Sequence, residues 1–169
     1  MAATREFEDR LLISVTDGKK LGELKDVYFD SEVRRMTAVF LGKTGLINRK
    51  ALLIELSHIA LFGIDAWLTD GSDIVSARDE VKGAESYLLG ESLRGREIQT
   101  DGGTKIGVIG DIIVDESHKV LGFALSKVHA QGPLSEARAI AREAITSLGD
   151  DNTPMRTVLE QAEKLKLPA

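Results

Sequence analysis

The stretch "DGKKLGELKDVYFD", residues 17–30, returns later in the chain as "DGGTKIGVIGDIIVD", residues 101–115. With one extra residue in the second turn, three pairs match at a spacing of 85 positions: Gly22 with Gly107, Asp26 with Asp111, and Asp30 with Asp115. The match continues from "RMTAVFL" (35–41) to "VLGFALS" (120–126) and, at a spacing of 86, from "SHIALFGIDA" (57–66) to "EAITSLGDDN" (143–152). The sequence therefore predicts an internal repeat over most of the chain.

The glycines of the second copy fit either a phosphate-binding loop or a turn between strands. A dinucleotide-binding fingerprint needs a strand, a glycine turn and then a helix. Here "VIGDIIVD" and its counterpart "ELKDVYFD" follow, and both are rich in strand-forming residues. Gly103 and Gly110 also lack counterparts in the first copy. We therefore interpret the glycines as parts of turns between antiparallel strands.

The alternation of apolar and polar residues predicts short strands in both copies. They lie near 10–15, 20–29, 35–42, 50–56 and 65–69 in the first copy, and near 93–99, 105–114, 119–127 and 138–142 in the second, where a short last strand is a further candidate. Short strands with closely spaced turns are typical of a small barrel or rolled sheet rather than of a βαβ fold. The predicted fold class is all-β, with two small tandem β-barrels and a C-terminal α-helix.

The composition along the chain divides it into four parts. We expect a first barrel domain over 1–76, a linker over 77–92, a second barrel domain over 93–152 and a C-terminal helix within 153–169. In the tail, Thr153 is a candidate N-cap, Pro154 suits the first helical position, and Pro168 ends the helix. The helix predicted over 154–166 has an apolar face to bury on a barrel or a second subunit: Met155, Val158, Leu159 and Ala162.

The repeated pattern, followed by "MTAVFL" and "SHIALFGIDAW" in the first copy and by "REAITSLGDD" in the second, resembles the PRC-barrel family. The resemblance covers about 12–76 and 93–152, as two tandem copies. The family includes the cytoplasmic domain of the photosynthetic reaction-centre H subunit and the C-terminal domain of a ribosome maturation factor. The resemblance implies a small all-β barrel that docks to partners, and it brings no catalytic residues. The sequence departs from these two members in having neither a membrane helix nor a recognisable RNA-processing domain.

The composition indicates in which compartment the protein is found and which class of partner it binds. The chain has 169 residues and a net charge of −5, which argues against direct nucleic-acid binding. Its longest apolar stretch is broken by polar residues, so we expect no membrane insertion. The absence of cysteine and of a signal peptide favours a cytoplasmic protein. Because a barrel of roughly 70 residues buries little apolar surface alone, either the two barrels pack together or the chain dimerises.

No combination of residues predicts catalysis, a cofactor or a metal site. The chain has no cysteine, and its histidines, at 58, 118 and 129, lack partners at the spacing of a metal pair. The repeated aspartates fit paired acids or a calcium loop less well than they fit turns and repeated geometry. We therefore expect a protein that is not an enzyme and that holds no cofactor.

Four apolar residues are candidates for contact with a protein partner: Leu46, Ile47, Trp67 and Leu134. Trp67 suits core packing first and an interface anchor second. The other three lie in the loops 42–50 and 127–138, the least similar parts of the two copies, where specificity usually resides. The expected function is a non-catalytic protein-binding adaptor. The alternatives are a ribosome or RNA-processing assembly factor and a soluble accessory protein of a photosynthetic reaction centre.

Overall fold

The computed structural model describes residues 1–167 and consists mostly of β-strands, which confirms the prediction of a β-rich fold. In chain order the strands are β1 (Ala2–Ala3), β2 (Leu11–Ser14), β3 (Lys20–Glu23), β4 (Asp26–Phe29), β5 (Met36–Thr44), β6 (Lys50–Glu55), β7 (Ile59–Phe62), β8 (Ala66–Thr69), β9 (Ser76–Ala77), β10 (Leu88–Leu89), β11 (Glu97–Thr100), β12 (Lys105–Val114), β13 (Val120–Val128), β14 (Ala139–Ala141), β15 (Ile145–Ser147) and β16 (Met155–Thr157). The α-helices are short: α1 (Gly90–Leu93), α2 (Pro133–Ala137) and α3 (Leu159–Lys164). Within residues 1–167, no helix has the length and apolar character needed to span a membrane.

The chain forms two compact units, each built from more than one segment. The N-terminal unit consists of Arg5–Ser31 and Met36–Leu89, and the C-terminal unit, within the described residues, of Met1–Thr4, Glu32–Arg35 and residues 90–167. These units differ from the contiguous domains expected over 1–76 and 93–152. The reason is backbone pairing, because β1 pairs with β12 and the Val120 amide donates to the Arg34 carbonyl oxygen at 2.8 Å.

Two sheets make up the N-terminal unit. The first has the order β3-β2-β8-β7, with β2 parallel to β8 and the other pairs antiparallel. The second has the order β10-β4-β5-β6-β9 and is antiparallel throughout. The strand predicted over 20–29 is thus divided between the two sheets, since β3 ends at Glu23 and β4 begins at Asp26. Leu12, Tyr28 and Leu53 are among the fully buried side chains of this unit.

One sheet makes up most of the C-terminal unit. Its order is β14-β13-β12-β11-β16-β15, and β1 pairs with β12 in addition. The strands β11 and β16 are parallel, and the remaining pairs are antiparallel. None of the sheets closes on itself within the described part of the chain. The buried Arg142 donates to the Glu32 carbonyl oxygen at 2.7 Å, which ties Glu32–Arg35 to this unit.

The matched glycines occupy matching strand positions in the two units. Gly22 lies opposite Leu12 across β3 and β2, and Gly107 lies opposite Ile98 across β12 and β11. At Gly107 the backbones approach so closely that an added Cβ would lie 2.5 Å from the Lys127 carbonyl oxygen. A glycine inside a strand often marks such a close approach. The spacing of the two glycines in the sequence therefore corresponds to a repeated strand pairing.

In each repeat, an early strand also pairs in parallel with a late one. Leu12 lies opposite Trp67 across β2 and β8, and Ile98 lies opposite Met155 across β11 and β16. All four of these side chains are buried, with exposed fractions of 1% or less. The ends of each repeat are therefore held together by strand hydrogen bonds and by apolar burial.

Residues 77–92 form a packed part of the structure and not the linker that their composition predicts. β9 pairs with β6 and β10 pairs with β4, both in the N-terminal unit. Between these strands, Arg78 donates to the carbonyl oxygens of Ala84 at 2.9 Å and Tyr87 at 2.7 Å, and its guanidinium lies over the Tyr28 ring. Small residues are needed here because Ala84 is fully buried in the cluster around Tyr28.

A strand replaces the first part of the helix predicted over 154–166. β16 pairs with both β11 and β15, and only Leu159–Lys164 is helical, as α3. The tertiary pairing of β16 overrides the local signal for a helix after Pro154. Ala162 is buried as expected, whereas Val158 and Leu159 are 41% and 37% exposed. The helix contacts α2 and β14, and Pro168, expected to end it, lies outside the described residues.

A buried polar cluster fixes the repeated aspartate of the C-terminal unit. Asp111 accepts hydrogen bonds from the Thr4 hydroxyl at 2.7 Å, the Arg94 Nε at 3.2 Å and the Ile112 amide at 2.8 Å. Arg94 also donates to the Thr4 hydroxyl at 2.9 Å, which closes a ring of three side chains. The aspartate therefore has a structural role, as the sequence analysis favoured, and Thr4 reaches it from the start of the chain.

Replacing Asp111 by alanine should lower the free energy of unfolding by about 3 kcal/mol, because the buried Arg94 loses its carboxylate partner. Urea unfolding followed by circular dichroism measures the change. Arg34→Ala is the control, since it breaks an ion pair with Glu143 that is exposed to solvent and should cost less than about 1 kcal/mol. Equal and small losses in the two variants would contradict the structural role of the cluster.

Deleting residues 153–169 should unfold the C-terminal unit, because β16 lies between β11 and β15 in its sheet. Deleting only 159–169 removes α3 and should lower the melting temperature by about 5 °C, as for the loss of a modest stabilising contact. Thermal unfolding and limited proteolysis of both truncated chains measure the difference. If both deletions had the same small effect, β16 would not hold the sheet together.

Candidate functional site

The hairpin of β7 and β8 forms the edge of the four-stranded sheet. Ile59 lies opposite Thr69, and Phe62 lies opposite Trp67. The turn is closed by the Gly63 amide, which donates to the Ala66 carbonyl oxygen at 3.0 Å. A Cβ on Gly63 would lie 2.5 Å from that same oxygen, so the turn requires glycine. The hairpin therefore has a fixed geometry at its tip.

Aromatic packing around the buried Trp67 side chain holds this hairpin in place. The Trp67 ring is buried, with its centroid 5.1 Å from that of Phe7 and 4.8 Å from that of Phe62. Arg10 stacks over Phe7 at 5.6 Å and donates to the Gly63 carbonyl oxygen at 3.2 Å. Contacts of this kind between aromatic rings add stability beyond the area that they bury. The hairpin is thus held in place and does not depend on a partner for its shape.

The outer side of the hairpin is apolar and open to solvent. Leu61 is 57% exposed, Phe62 is 40% exposed, and Ile64 at the turn is 85% exposed. β7 has a neighbouring strand on one side only, which is β8. An apolar edge strand of this kind is a template for pairing with another chain.

Two edge strands that can be compared with β7 are polar. The far edge of the same sheet is β3, where Lys20 and Glu23 form an ion pair at 3.1 Å. In the C-terminal unit the position of β7 is taken by β15, where Thr146 and Ser147 are exposed. Charged and polar residues on an edge strand discourage pairing with other chains. The exposed apolar side chains of β7 are therefore not a requirement of the scaffold.

The turn that follows β15 has the same kind of arginine hydrogen bond as the β7 hairpin, but it lacks the exposed apolar residues of that hairpin. Arg96 donates to the Leu148 carbonyl oxygen at 3.0 Å, as Arg10 does to Gly63. The residue that corresponds to Ile64 is Asp150, whose carboxylate accepts from the amides of Asn152 and Thr153 and whose pKa these bonds lower. The two hairpins therefore share their support and differ in their surface chemistry.

The second exposed surface is the hairpin between β5 and β6. Its last strand pair is Thr44 with Lys50, and all residues from 43 to 50 are exposed. Leu46 and Ile47 at its end are 101% and 92% exposed, the highest values among large apolar side chains in the described chain. Lys43, at the end of β5, lies beside the same loop.

A PRC-barrel domain is found at residues 85–140. The match spans β11, β12, β13 and α2, so it falls in the C-terminal unit for most of its length. A comparison with curated proteins finds no match. The β7 hairpin and the β5–β6 hairpin both lie outside the matched residues.

The predicted contact residues separate into two exposed and two buried ones. Leu46 and Ile47 are exposed, but Trp67 and Leu134 are 1% and 2% exposed and cannot reach a partner in this fold. Trp67 is buried because it packs between two aromatic rings. Leu134 is buried because α2, in the PRC-barrel domain, turns its apolar residue toward α3 and β14.

Sequence reasoning missed Leu61 and Ile64 as exposed apolar residues. The signal was present in the alignment of the copies, where "ALFGI" (60–64) corresponds to "TSLGD" (146–150). A change from polar to apolar at equivalent positions marks a surface that is not needed for packing. The strand β7 itself was also absent from the predicted strands, since its four residues follow a short turn at Leu56–His58.

The titratable side chains do not converge on a site. Among residues 1–167, no three histidine, cysteine or acidic side chains lie close enough to hold a metal ion. Asp115, in the PRC-barrel domain, accepts from the hydroxyl and amide of Ser117 at 2.8 Å each, and these bonds lower its pKa. His118 follows with a left-handed backbone at φ 64°, and burial lowers its pKa below the ordinary value.

The stability of the chain should fall as the pH drops below about 6.5, because unfolded His118 binds a proton more readily than folded His118 does. Asp115 opposes this shift and Arg35 reinforces it. His118→Asn, a residue that tolerates positive φ, should reduce the dependence of urea stability on pH. The control is His129→Asn, on an exposed histidine. Unchanged pH dependence in H118N would contradict a neutral buried histidine.

Proposed function

We propose that the chain is a non-catalytic protein-binding module that captures an extended segment of a partner at β7. The observation that carries the proposal is the apolar edge strand, with Leu61 and Ile64 exposed on a hairpin that is already rigid. Strand addition gives affinity through backbone hydrogen bonds and specificity through alternate side chains. The PRC-barrel domain supports an interaction role and suggests no reaction.

We also propose that both repeats are small barrels of the PRC type, although the family match covers only the second. The support is the common order of pairings, in which β2 is parallel to β8 and β11 is parallel to β16. The matched glycines, and the hydrogen bonds that Arg10 and Arg96 donate to turn carbonyl oxygens, support the same conclusion. One repeat would then supply the docking edge, and the other would keep a polar edge.

The surroundings of β7 indicate the chemistry of the segment that it binds. Asp65 follows Ile64 at one end of the hairpin, and Asp70 lies at the other end, 3.5 Å from His58. Both aspartates are exposed. A complementary segment would carry alternating apolar residues between basic ones, since opposite charges at the rim steer association.

The proposal assigns no reaction to the chain. The repeated acids that would be candidates for catalysis have structural partners: Asp111 accepts from Thr4 and Arg94, and Asp115 accepts from the turn that it caps. Catalysis needs a nucleophile, base and stabilising donors that converge on one point. The described side chains instead support packing and turn formation.

Selection from a displayed library of extended peptides tests the docking edge directly. Wild-type protein should enrich peptides with alternating apolar residues and basic flanks. Leu61→Ser with Ile64→Asp introduces the residues found at the equivalent positions of the second repeat and should lower the affinity of those peptides at least about tenfold. Val158→Ser, at an exposed apolar position of the C-terminal unit, is the matched control and should bind normally. If the double variant binds as well as wild type does, β7 is not the site.

Affinity capture from the cell that makes the protein identifies the physiological partner. Wild type and the Leu61/Ile64 double variant are compared with and without nuclease and detergent. A protein partner that is lost with the variant supports the proposal. Ribosomal proteins released by nuclease would instead favour ribosome assembly, and membrane proteins released by detergent would favour support of a photosynthetic complex.

A further inference from the structure

The hairpin end at residues 43–50, here called the tip hairpin, projects an apolar pair into solvent. β5 and β6 remain paired as far as Thr44 and Lys50, and five residues then close the loop. Leu46 and Ile47 make up its apex and are 101% and 92% exposed. Two adjacent aliphatic side chains this exposed are costly in water and favour a site that binds another surface.

Positive charge surrounds this apolar apex. Residues 42–54 contain Lys43, Arg49 and Lys50 and no acidic residue, although the whole chain has a net charge of −5. Arg49 donates to the Lys43 carbonyl oxygen at 3.5 Å, so the Arg49 guanidinium lies beside the backbone of a second basic residue. Lys50 forms an exposed ion pair with Asp79 at 3.5 Å. The tip hairpin is therefore a local basic site on an acidic protein.

The second repeat shows that the scaffold does not require such a tip. At the corresponding place, residues 127–138, the chain forms α2, and its apolar residue Leu134 is buried. The tip hairpin of the first repeat has no comparable packing. Its exposed pair is thus a feature of this repeat alone.

We propose that the tip hairpin docks on an anionic membrane surface. Leu46 and Ile47 would enter the boundary between headgroups and acyl chains, while Lys43, Arg49 and Lys50 contact the lipid phosphates and carboxylates. Apolar insertion combined with attraction to anionic lipid is the usual basis of peripheral membrane binding. The proposal rests on observations separate from those at β7.

The shape and composition of the tip favour a lipid surface over an acidic protein. Protein hot spots are rich in aromatic residues and arginine and lie in packed, desolvated pockets. The apex instead carries two aliphatic side chains on a protruding turn, and such a turn binds best to a surface that deforms to accommodate it. A bilayer interface can deform in this way. The net negative charge of the rest of the chain would also orient the tip toward an anionic bilayer.

Co-sedimentation with vesicles tests the proposal on the full chain. Wild type should bind phosphatidylserine–phosphatidylcholine vesicles, bind pure phosphatidylcholine vesicles at least about tenfold more weakly, and lose binding as salt rises. Leu46→Ser with Ile47→Ser should lower the binding constant at least about tenfold, because the apolar insertion is lost. Lys43→Glu with Arg49→Glu should have a similar effect.

Matched controls separate the tip from general properties of the protein. Lys127→Glu with Lys164→Glu changes the net charge by the same amount at other exposed positions and should bind as wild type does. Unaltered circular dichroism spectra and melting temperatures in all variants show that folding is intact, since the tip side chains make no core contacts. Equal losses in the charge variant and its control would overturn the proposal.

A fluorescent label measures insertion at the apex itself. Because the chain has no cysteine, Asn48→Cys provides one attachment site for an environment-sensitive dye. Its emission should shift to shorter wavelength with anionic vesicles and not with a soluble acidic polypeptide, and a label at Lys127→Cys should not shift. The same shift with the acidic polypeptide, or none with vesicles, would assign the tip to another partner or to none.

Discussion

The parallel pairing between an early and a late strand of each repeat is the constraint on which the rest of the structure depends. β2 runs parallel to β8, and β11 runs parallel to β16. Parallel strands cannot be joined by a tight turn, so the intervening chain must leave the pair and return to it. Burial of Trp67 and Met155 at these pairs adds apolar stabilisation. The returning chain forms the hairpins β7–β8 and β15–β16, which leaves β7 and β15 at sheet edges.

A shared support allows the two edges to diverge in chemistry. Arg10 and Arg96 each donate to a carbonyl oxygen of the turn that precedes the closing strand. Because these arginine hydrogen bonds hold the turn, the residues of the turn that face solvent are not needed for packing. Ile64 and Asp150 occupy such outward positions and differ completely in polarity. The scaffold thus separates stability from surface chemistry, and β7 presents the chemistry that suits a partner strand.

Local patterns predicted the long strands well and the short, distant pairings poorly. The ten residues of β12 are rich in valine and isoleucine around Gly107 and Asp111, and the structure has this strand at the predicted residues. β16 has only three residues, and its partner β11 lies more than fifty positions earlier in the chain, so the helix signal after Pro154 was stronger locally. Residues 77–92 have the polar composition of a linker, but one of their polar residues, Arg78, binds the carbonyl groups of a tight loop in the structure. Exposure was predicted less well: Trp67 is buried, as the preferred core interpretation has it, but Leu134, predicted as a contact residue in a divergent loop, also lies in the core.

Hydrogen exchange of the complex with a selected peptide or captured partner tests the central claim most directly. Strand addition at β7 forms new backbone hydrogen bonds, so exchange of amides in Ile59–Phe62 should slow markedly on binding. The equivalent amides of Ile145–Ser147 serve as the internal reference and should exchange at the same rate in the free and bound protein. Protection confined to other parts of the chain, with the β7 amides unchanged, would contradict the account.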